Sequence, residues 1–404
     1  MPDLTERSGP LSHLRVLDLT SGVAGPWCTK LLADYGADVI KAERPGTGDP
    51  SRGHGAFPEG VPHREKSALF LWLNTSKRGI TLDVRTTTGR ALALRIAAHC
   101  DAVVHDWRPS EVAALRLAYD DFRAVNPRIV VTSVTAFGQS GPYADWLQPN
   151  LISFATGGQH YLAGDPDREP LQSAGYQASY QAGGQAFGAT LAALWDATQA
   201  GEGQAVEVAG MEVMASIMEL YVPDAAYRKS EALQKRRGNF MSAAVGIYPT
   251  ADGHIGIHAM PKNWPQLVEA MDAQWMATDE RFADNRARLM HDDELSAALY
   301  GWAASTTKHE AYERAGKARA PVAPVNTVGD LLASPHLRER GFFRDVQHPM
   351  AGTLPHPGAP AQMPASPPEQ RGAPTLGEYN VDVYCGMLGL APQDLATLSA
   401  GGVI

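Results

Sequence analysis

Three cysteines in 404 residues, Cys28, Cys100 and Cys385, are too few and too scattered for a disulfide framework. None belongs to a Cys-x-x-Cys pair, which excludes a zinc knuckle. No apolar stretch approaches the roughly 18 residues that cross a bilayer, and the polar N-terminus lacks a signal-peptide core. The expectation is a cytoplasmic protein with no membrane partner. Basic excess is also missing. With 35 Lys and Arg against 44 Asp and Glu the net charge is −9, which argues against nucleic acid as a partner. Neither G-x-G-x-x-G nor G-x-x-x-x-G-K-[ST] follows a strand, so the common nucleotide fingerprints are absent. The 13 histidines include no His-Glu-x-x-His. His254 and His258 sit four apart in an alternating segment that reads as a strand, where they would lie roughly 13 Å apart. No metal is expected.

What is present is organised around residues 16–52. Val16–Leu19 is a short apolar run of strand type, Ser21 to Pro26 is a small-residue turn, and Trp27 to Tyr35 has helical spacing. Gly36 stands where a helix C-cap belongs, and Ala37–Ala42 reads as a second strand ending at Glu43-Arg44. Such a unit brings a glycine-containing turn and a basic strand end to one edge of a parallel sheet, where open α/β sheets bind ligands.

Further along, Ala68–Leu73 and Gly79–Val84 read as extended. Thr86–His99 reads as a helix with a threonine-rich start, and Ala102–His105 as a strand ending at Asp106-Trp107-Arg108. Pro109 to Arg123 reads as a broken helix and Ile129–Thr135 as another strand. This alternation predicts a doubly wound parallel sheet. Leu151–Leu162, Ala178–Gln199 and Met211–Tyr221 read as helices, Ala205–Val208 as a strand, and Tyr248–Ile257 as a hairpin around Ala251-Asp252-Gly253. The resulting division is a large α/β domain at 1–225, a basic linker at 226–240 and a smaller α+β domain at 241–330. Residues 331–404 form a return linker and C-terminal segment packing on the large domain.

An ordered set of motifs resembles the family III CoA-transferases, which include formyl-CoA, carnitine and bile-acid CoA-transferases and the α-methylacyl-CoA racemases. The set is Leu17-Asp18-Leu19-Thr20, Ala24-Gly25-Pro26, Gly36-Ala37-Asp38-Val39-Ile40-Lys41 and Glu43-Arg44-Pro45-Gly46. It continues through Ser76-Lys77-Arg78-Gly79, Asn126-Pro127-Arg128, Gly138-Gln139-Ser140-Gly141-Pro142-Tyr143, Tyr248-Pro249-Thr250, Pro321-Val322-Ala323-Pro324 and Ala373-Pro374-Thr375-Leu376-Gly377-Glu378. The resemblance spans nearly the whole chain. It implies a Rossmann-like large domain and a small domain joined by long linkers, with two ring-like protomers interlocked as a dimer. It also implies an acyl-CoA and a small carboxylic acid as partners, with no cofactor beyond coenzyme A or acyl-CoA as substrate.

By that resemblance, CoA contacts fall on Val23 and Ala24, on Arg44, and on Leu82, Asp83, Val84 and Arg85. They fall also on Asp106, Trp107 and Arg108, and on Thr135, Ala136, Phe137 and Gly138. The chemistry is reasonable by itself. Guanidinium groups of Arg44, Arg85 and Arg108 suit phosphates, and Trp107 offers a flat face to an adenine. Two family residues are replaced, an arginine by Ala114 and a lysine by Thr135. The third replacement concerns the reaction. The transferases attack the thioester with a carboxylate, almost always Asp, forming a mixed anhydride and then an enzyme–CoA thioester. That position here is Ser179. Three readings stand open. The chain is a non-catalytic subunit or paralogue of a heteromeric transferase. Alternatively, Ser179 is itself a nucleophile, giving a hydrolase or acyltransferase, with His160 the nearest histidine in sequence. Or another carboxylate serves, such as Asp145, Asp165, Asp167 or Glu169. A racemase, which uses His and Asp, is not expected, because Ser179 and Gln148-Pro149-Asn150 supply neither.

Overall fold

The computed structural model describes residues 8–147, 149–164, 167–219, 221–228 and 243–404. The chain divides into two compact units. One comprises Met1–Ala163, Leu171–Gln234 and Arg340–Ile404; the other comprises Gly164–Pro170 and Lys235–Glu339.

The first unit is built on six parallel strands, β1 (Arg15–Leu19), β2 (Asp38–Glu43), β3 (Arg78–Thr81), β4 (Ala102–His105), β5 (Val130–Thr135) and β6 (Ala205–Ala209). Their order is β3-β2-β1-β4-β5-β6, the doubly wound arrangement. The central strands β1, β4 and β5 are almost wholly buried because both faces of the sheet are covered there. Val16, Val39, Val104 and Val130 pack on the side of the helices Ala24–Asp34 and Gln177–Ala200. Leu17, Ile40, Val103 and Val131 face the helix Thr87–Ala97 and the C-terminal segment. That last segment is tied in by Tyr384, whose buried hydroxyl donates to the Thr81 carbonyl at 2.7 Å.

The strand-turn-helix-strand reading of residues 16–52 matches β1, the helix Ala24–Asp34 and β2. Gly36 closes the helix at φ 106°, where a Cβ would lie 2.4 Å from the Ser8 carbonyl oxygen. Thr86 caps its helix through Gly89 N–H, as its position suggests. Ala68–Leu73 is a correction. It is a helix rather than an extended segment, capped by Ser67 accepting from Phe70 N–H, with Phe70, Leu71 and Leu73 buried. A six-residue apolar run fits either state by pattern alone, and tertiary burial decides. Much of the expected linker at 226–240 lies outside the described residues. The expected return segment contains an antiparallel pair, Phe343–His348 with Gly352–Pro357.

The helices Ala24–Asp34 and Gln177–Ala200 meet at Gly183. A Cβ there would fall 2.3 Å from the Ala24 carbonyl oxygen and 3.0 Å from the Trp27 ring, whereas one at Gly184 meets nothing within 4 Å. Both substitutions gain about 1 kcal/mol of helix propensity. Gly183→Ala also suffers overpacking of about 1–3 kcal/mol. Thermal unfolding is therefore expected to show a lowered midpoint for Gly183→Ala and a raised one for Gly184→Ala.

In the second unit a three-stranded antiparallel sheet is formed by Ala244–Thr250, Gly253–Ala259 and Val322–Pro324. The Thr250–Gly253 pairing leaves Ala251-Asp252 as the turn, in agreement with the hairpin reading. His254 and His258 lie on the middle strand. Leu267, Met276, Phe282, Leu295 and Leu299 fill the core against it.

Candidate functional site

β1 leads to β2 on one side of the sheet and β4 leads to β5 on the other. Their outgoing loops part at the carboxyl ends, leaving a crevice of the kind that open α/β sheets use for ligands. A cleft of about 1040 Å³ occupies that position in the first unit.

A buried charge network adjoins the cleft through Thr20 and Asp49. Asp18 accepts from Thr20 N–H and Oγ1 at 3.0 and 2.6 Å, from Thr29 Oγ1 at 2.7 Å and from Lys77 Nζ at 3.0 Å. Lys41 Nζ donates to the Thr20 carbonyl at 2.5 Å and to Asp49 at 2.8 Å. Asp49 in turn accepts from Gly22 N–H at 3.2 Å and from Ser51. These bonds hold the Thr20–Gly22 turn and the loop around Asp49, both of which border the cleft. Burial opposes ionisation of Asp18, but Lys41, Lys77 and the two threonines prevail and hold its carboxyl well below the usual range. Burial pushes the Lys77 amine down to about 8 against the pull of Asp18. Glu43 is bound at a second centre by Arg52, whose buried guanidinium also meets Glu65 and lies 3.6 Å from the Phe70 ring centroid.

Of the residues expected to bind a ligand, Ala24, Arg44, Leu82, Asp83, Val84, Arg85, Asp106, Trp107, Arg108, Thr135 and Ala136 line this cleft. Ser179 lines it too. Val23, Phe137 and Gly138 do not. Val23 precedes the first helix and accepts from Trp27 N–H through its carbonyl. Phe137 packs edge-on against Tyr143 and Trp146. Gly138 donates to Thr135 Oγ1, at 3.0 Å, and the following Gln139 N–H goes to Glu207 at 2.5 Å. Those amides are thus already bonded within the protein. Trp107 stacks on His105 with ring centroids 5.0 Å apart, and burial holds the His105 imidazole down near 4.

The three arginines differ. Arg85 is paired with Asp83 at 2.5 Å and Arg108 with Glu111 at 3.0 Å. Arg44 has no ion pair among the described residues and is exposed in the cleft. The carboxylates differ in the same way. Lining the cleft, Glu43, Asp49, Asp83 and Glu111 each have an Arg or Lys nitrogen within 3.0 Å. Among the described residues Asp106 accepts only from Ser21, at 2.7 Å from its N–H and 2.9 Å from its hydroxyl. Desolvation by the cleft walls pushes its carboxyl up to about 6. Sequence reading named Asp106, but not that it lacks a close ion pair among the described residues while still feeling the Lys41 charge, nor its bond to Ser21.

Raised above its unfolded value near 3.9, Asp106 disfavours the folded state when ionised. That cost is absent below about pH 4, grows as pH rises through 6 and is constant above. Asp106→Asn removes it and preserves an acceptor for Ser21. The variant is expected to gain about 1–3 kcal/mol at pH 8, with no gain at pH 4, measured by urea unfolding at both values.

Ser179, in the first turn of the helix Gln177–Ala200, has Asn150 as its partner. Its N–H donates to Asn150 Oδ1 at 3.1 Å, and its hydroxyl lies 3.4 Å from the same oxygen. An amide oxygen is no general base. His160 stacks on Phe154 instead. Asp145 caps Ser110 N–H at 2.9 Å and does not line the cleft. Asp165 and Gln148 lie outside the described residues, and Asp167 and Glu169 belong to a segment of the second unit. No group of three His, Cys, Asp or Glu capable of holding a metal occurs among the described residues. Nor, among them, is any helix long and apolar enough to cross a membrane.

A doubly wound α/β sheet with a cleft at its switch point defines a broad class of α/β proteins. Within it, this chain belongs to CoA-transferase family III, whose model matches residues 11–380. It is 35% identical to succinyl-CoA–D-citramalate CoA-transferase of Chloroflexus aurantiacus, over 98% of each chain. It is 30% identical to the succinyl-CoA–L-malate CoA-transferase beta subunit of the same organism, over 100% of each. Among solved structures it is similar to a CAIB/BAIF family protein from Brucella suis, with a TM-score of 0.84 and 29% identity, covering 94% of this chain and 100% of that one.

Proposed function

We propose that this chain binds an acyl-CoA in the switch-point cleft and transfers CoA between it and a carboxylic acid, with Ser179 in the place of the family's nucleophilic carboxylate. The observation that carries the reading is the convergence of Arg44, Arg85, Arg108 and Trp107 on one cleft of about 1040 Å³. Guanidinium groups suit the phosphates of CoA, and Trp107 adds an apolar face to the cleft wall. The relatives' names, all transferases of CoA, support the same reaction class. Val23, Phe137 and Gly138 complete the proposed contact set as neighbours of the lining residues. The proposed setting is the cytoplasm, and the proposed assembly is an interlocked homodimer or a heteromer with a homologous chain.

The test is transfer by the purified chain alone, from an acyl-CoA to a panel of carboxylic acids. Product acyl-CoA is expected without any second protein. A second reading is favoured by the hydroxyl at position 179 and by relatives that are named as subunits. In it the chain is a silent member of a heteromer, and activity emerges only when a homologue is added. Acyl transfer through Ser179 is the weakest alternative, because its hydroxyl faces an amide oxygen and no base.

A further inference from the structure

The transfer reaction needs a carboxylate that can be acylated and then carry CoA as a thioester. Ser179 has no carboxylate, and Asp145 is spent on a helix start outside the cleft. The cleft itself contains five carboxylate residues. Four of them are held by cations, at 2.6 Å for Glu43, 2.8 Å for Asp49, 2.5 Å for Asp83 and 3.0 Å for Glu111. A carboxylate clamped by a guanidinium or ammonium has its lone pairs committed and is a poor nucleophile. Asp106 differs. Both of its hydrogen bonds, from Ser21 N–H and Oγ, fall on Oδ2. Among the described residues no donor is bonded to Oδ1, and the side chain is part of the cleft wall.

The position suits the reaction too. Asp106 follows β4 and Ser21 follows β1, so their bond crosses the mouth of the switch-point crevice. Ser21 opens the same turn that ends in Ala24. A Cβ on Gly183, one helical turn beyond Ser179, would lie 2.3 Å from the Ala24 carbonyl oxygen. Asp106 and Ser179 both line the cleft. The raised carboxyl range set by desolvation adds nucleophilicity while leaving most of the group ionised at neutral pH.

From this arrangement we infer that Asp106 is the catalytic carboxylate of this chain, attacking the acyl-CoA thioester through Oδ1. This rests on the reading of the cleft as an acyl-CoA site. Oδ1 bonds to the thioester carbonyl carbon and the carbon–sulfur bond breaks, giving an acyl–Asp106 anhydride and CoA thiolate. The thiolate attacks Cγ of Asp106, releasing the first acid as its carboxylate and leaving an Asp106–CoA thioester. The acceptor carboxylate then attacks Cγ, displacing thiolate and forming a second anhydride. Thiolate attacks the acceptor carbonyl, and Asp106 is regenerated as a carboxylate. No oxidant, reductant or external proton is needed.

The experiment has two arms. In the first, free CoA is titrated calorimetrically into the wild-type protein and Asp106→Asn; the binding itself tests the cleft assignment. In the second, the protein is mixed with acyl-CoA, quenched with borohydride or hydroxylamine, digested and mapped by mass spectrometry. Expected are saturable CoA binding by both proteins, a trapped adduct on the wild-type peptide carrying Asp106, and loss of transfer on the order of 10³-fold in Asp106→Asn. Asp106→Glu, which restores a carboxylate, is expected to recover part of the rate. A wild-type protein that binds CoA but gives an adduct elsewhere, on Ser179 for example, overturns the assignment. So does one that gives none, or an Asp106→Asn variant that loses affinity while turnover at saturation is unchanged. Absence of CoA binding by the wild type would instead reject the underlying cleft reading.

Discussion

Asp18→Ala is expected to cost about 3–5 kcal/mol of stability, enough to consume much of the 5–15 kcal/mol typical of a folded domain. Asp18 is fully buried on the second-last residue of β1 and accepts from two threonines and Lys77, with Lys41 4.0 Å away. Removing it strands two ammonium groups in the interior, and stranded buried charges are far costlier than lost pairs. Lys77 retains Thr29, Asn74 and the Pro26 carbonyl, while Lys41 retains Asp49 and the Thr20 carbonyl. Those partners keep the loss finite. The pH dependence follows from the direction of the shift. The folded-state carboxyl is held below its unfolded value, so its contribution is complete above roughly pH 4 and is lost as pH falls. The difference in urea midpoint between wild type and Asp18→Ala is expected to hold from pH 7 to about pH 4 and to narrow progressively below it. A difference that does not narrow below about pH 4 would contradict the account. Because the network also fixes the turn at Thr20–Gly22, residual folded variant is expected to bind ligand poorly.

The second large effect concerns the cleft cations. Arg44→Ala is expected to weaken CoA by about tenfold or more, corresponding to the ~1.4 kcal/mol or more of a charge-assisted contact to phosphate. Arg85→Ala and Arg108→Ala are expected to weaken it less. Arg85 and Arg108 are already neutralised by Asp83 and Glu111, so a phosphate must compete with a carboxylate for each. Arg44 makes no ion pair among the described residues and feels the Asp83 charge only at longer range. The expected order is read directly from calorimetric titrations of the three variants, and the Arg44 effect is expected to shrink with added salt. Equal losses in all three would mean that the Asp83 and Glu111 pairs open on binding.

The central strands β1 and β4 were legible because they are buried on both faces and are written as short, largely apolar runs. Ala68–Leu73 was not, since six apolar residues carry no periodicity that separates a strand from a buried helix. The strand tips that line the cleft were legible through motif resemblance, and Arg44, Arg85, Arg108 and Trp107 do come together there. What a linear reading does not carry is the pairing. Lys77 reaches Asp18 across 59 positions and Ser21 reaches Asp106 across 85. Only the folded sheet distinguishes the cleft carboxylate that has no close ion pair among the described residues from the four that are clamped.

Titration of the purified chain with free coenzyme A, followed by calorimetry, tests the central claim most directly. The account predicts saturable binding at one site per chain, weakened by Arg44→Ala and by Trp107→Ala in folded protein. No binding of CoA, or binding indifferent to both substitutions, would contradict it.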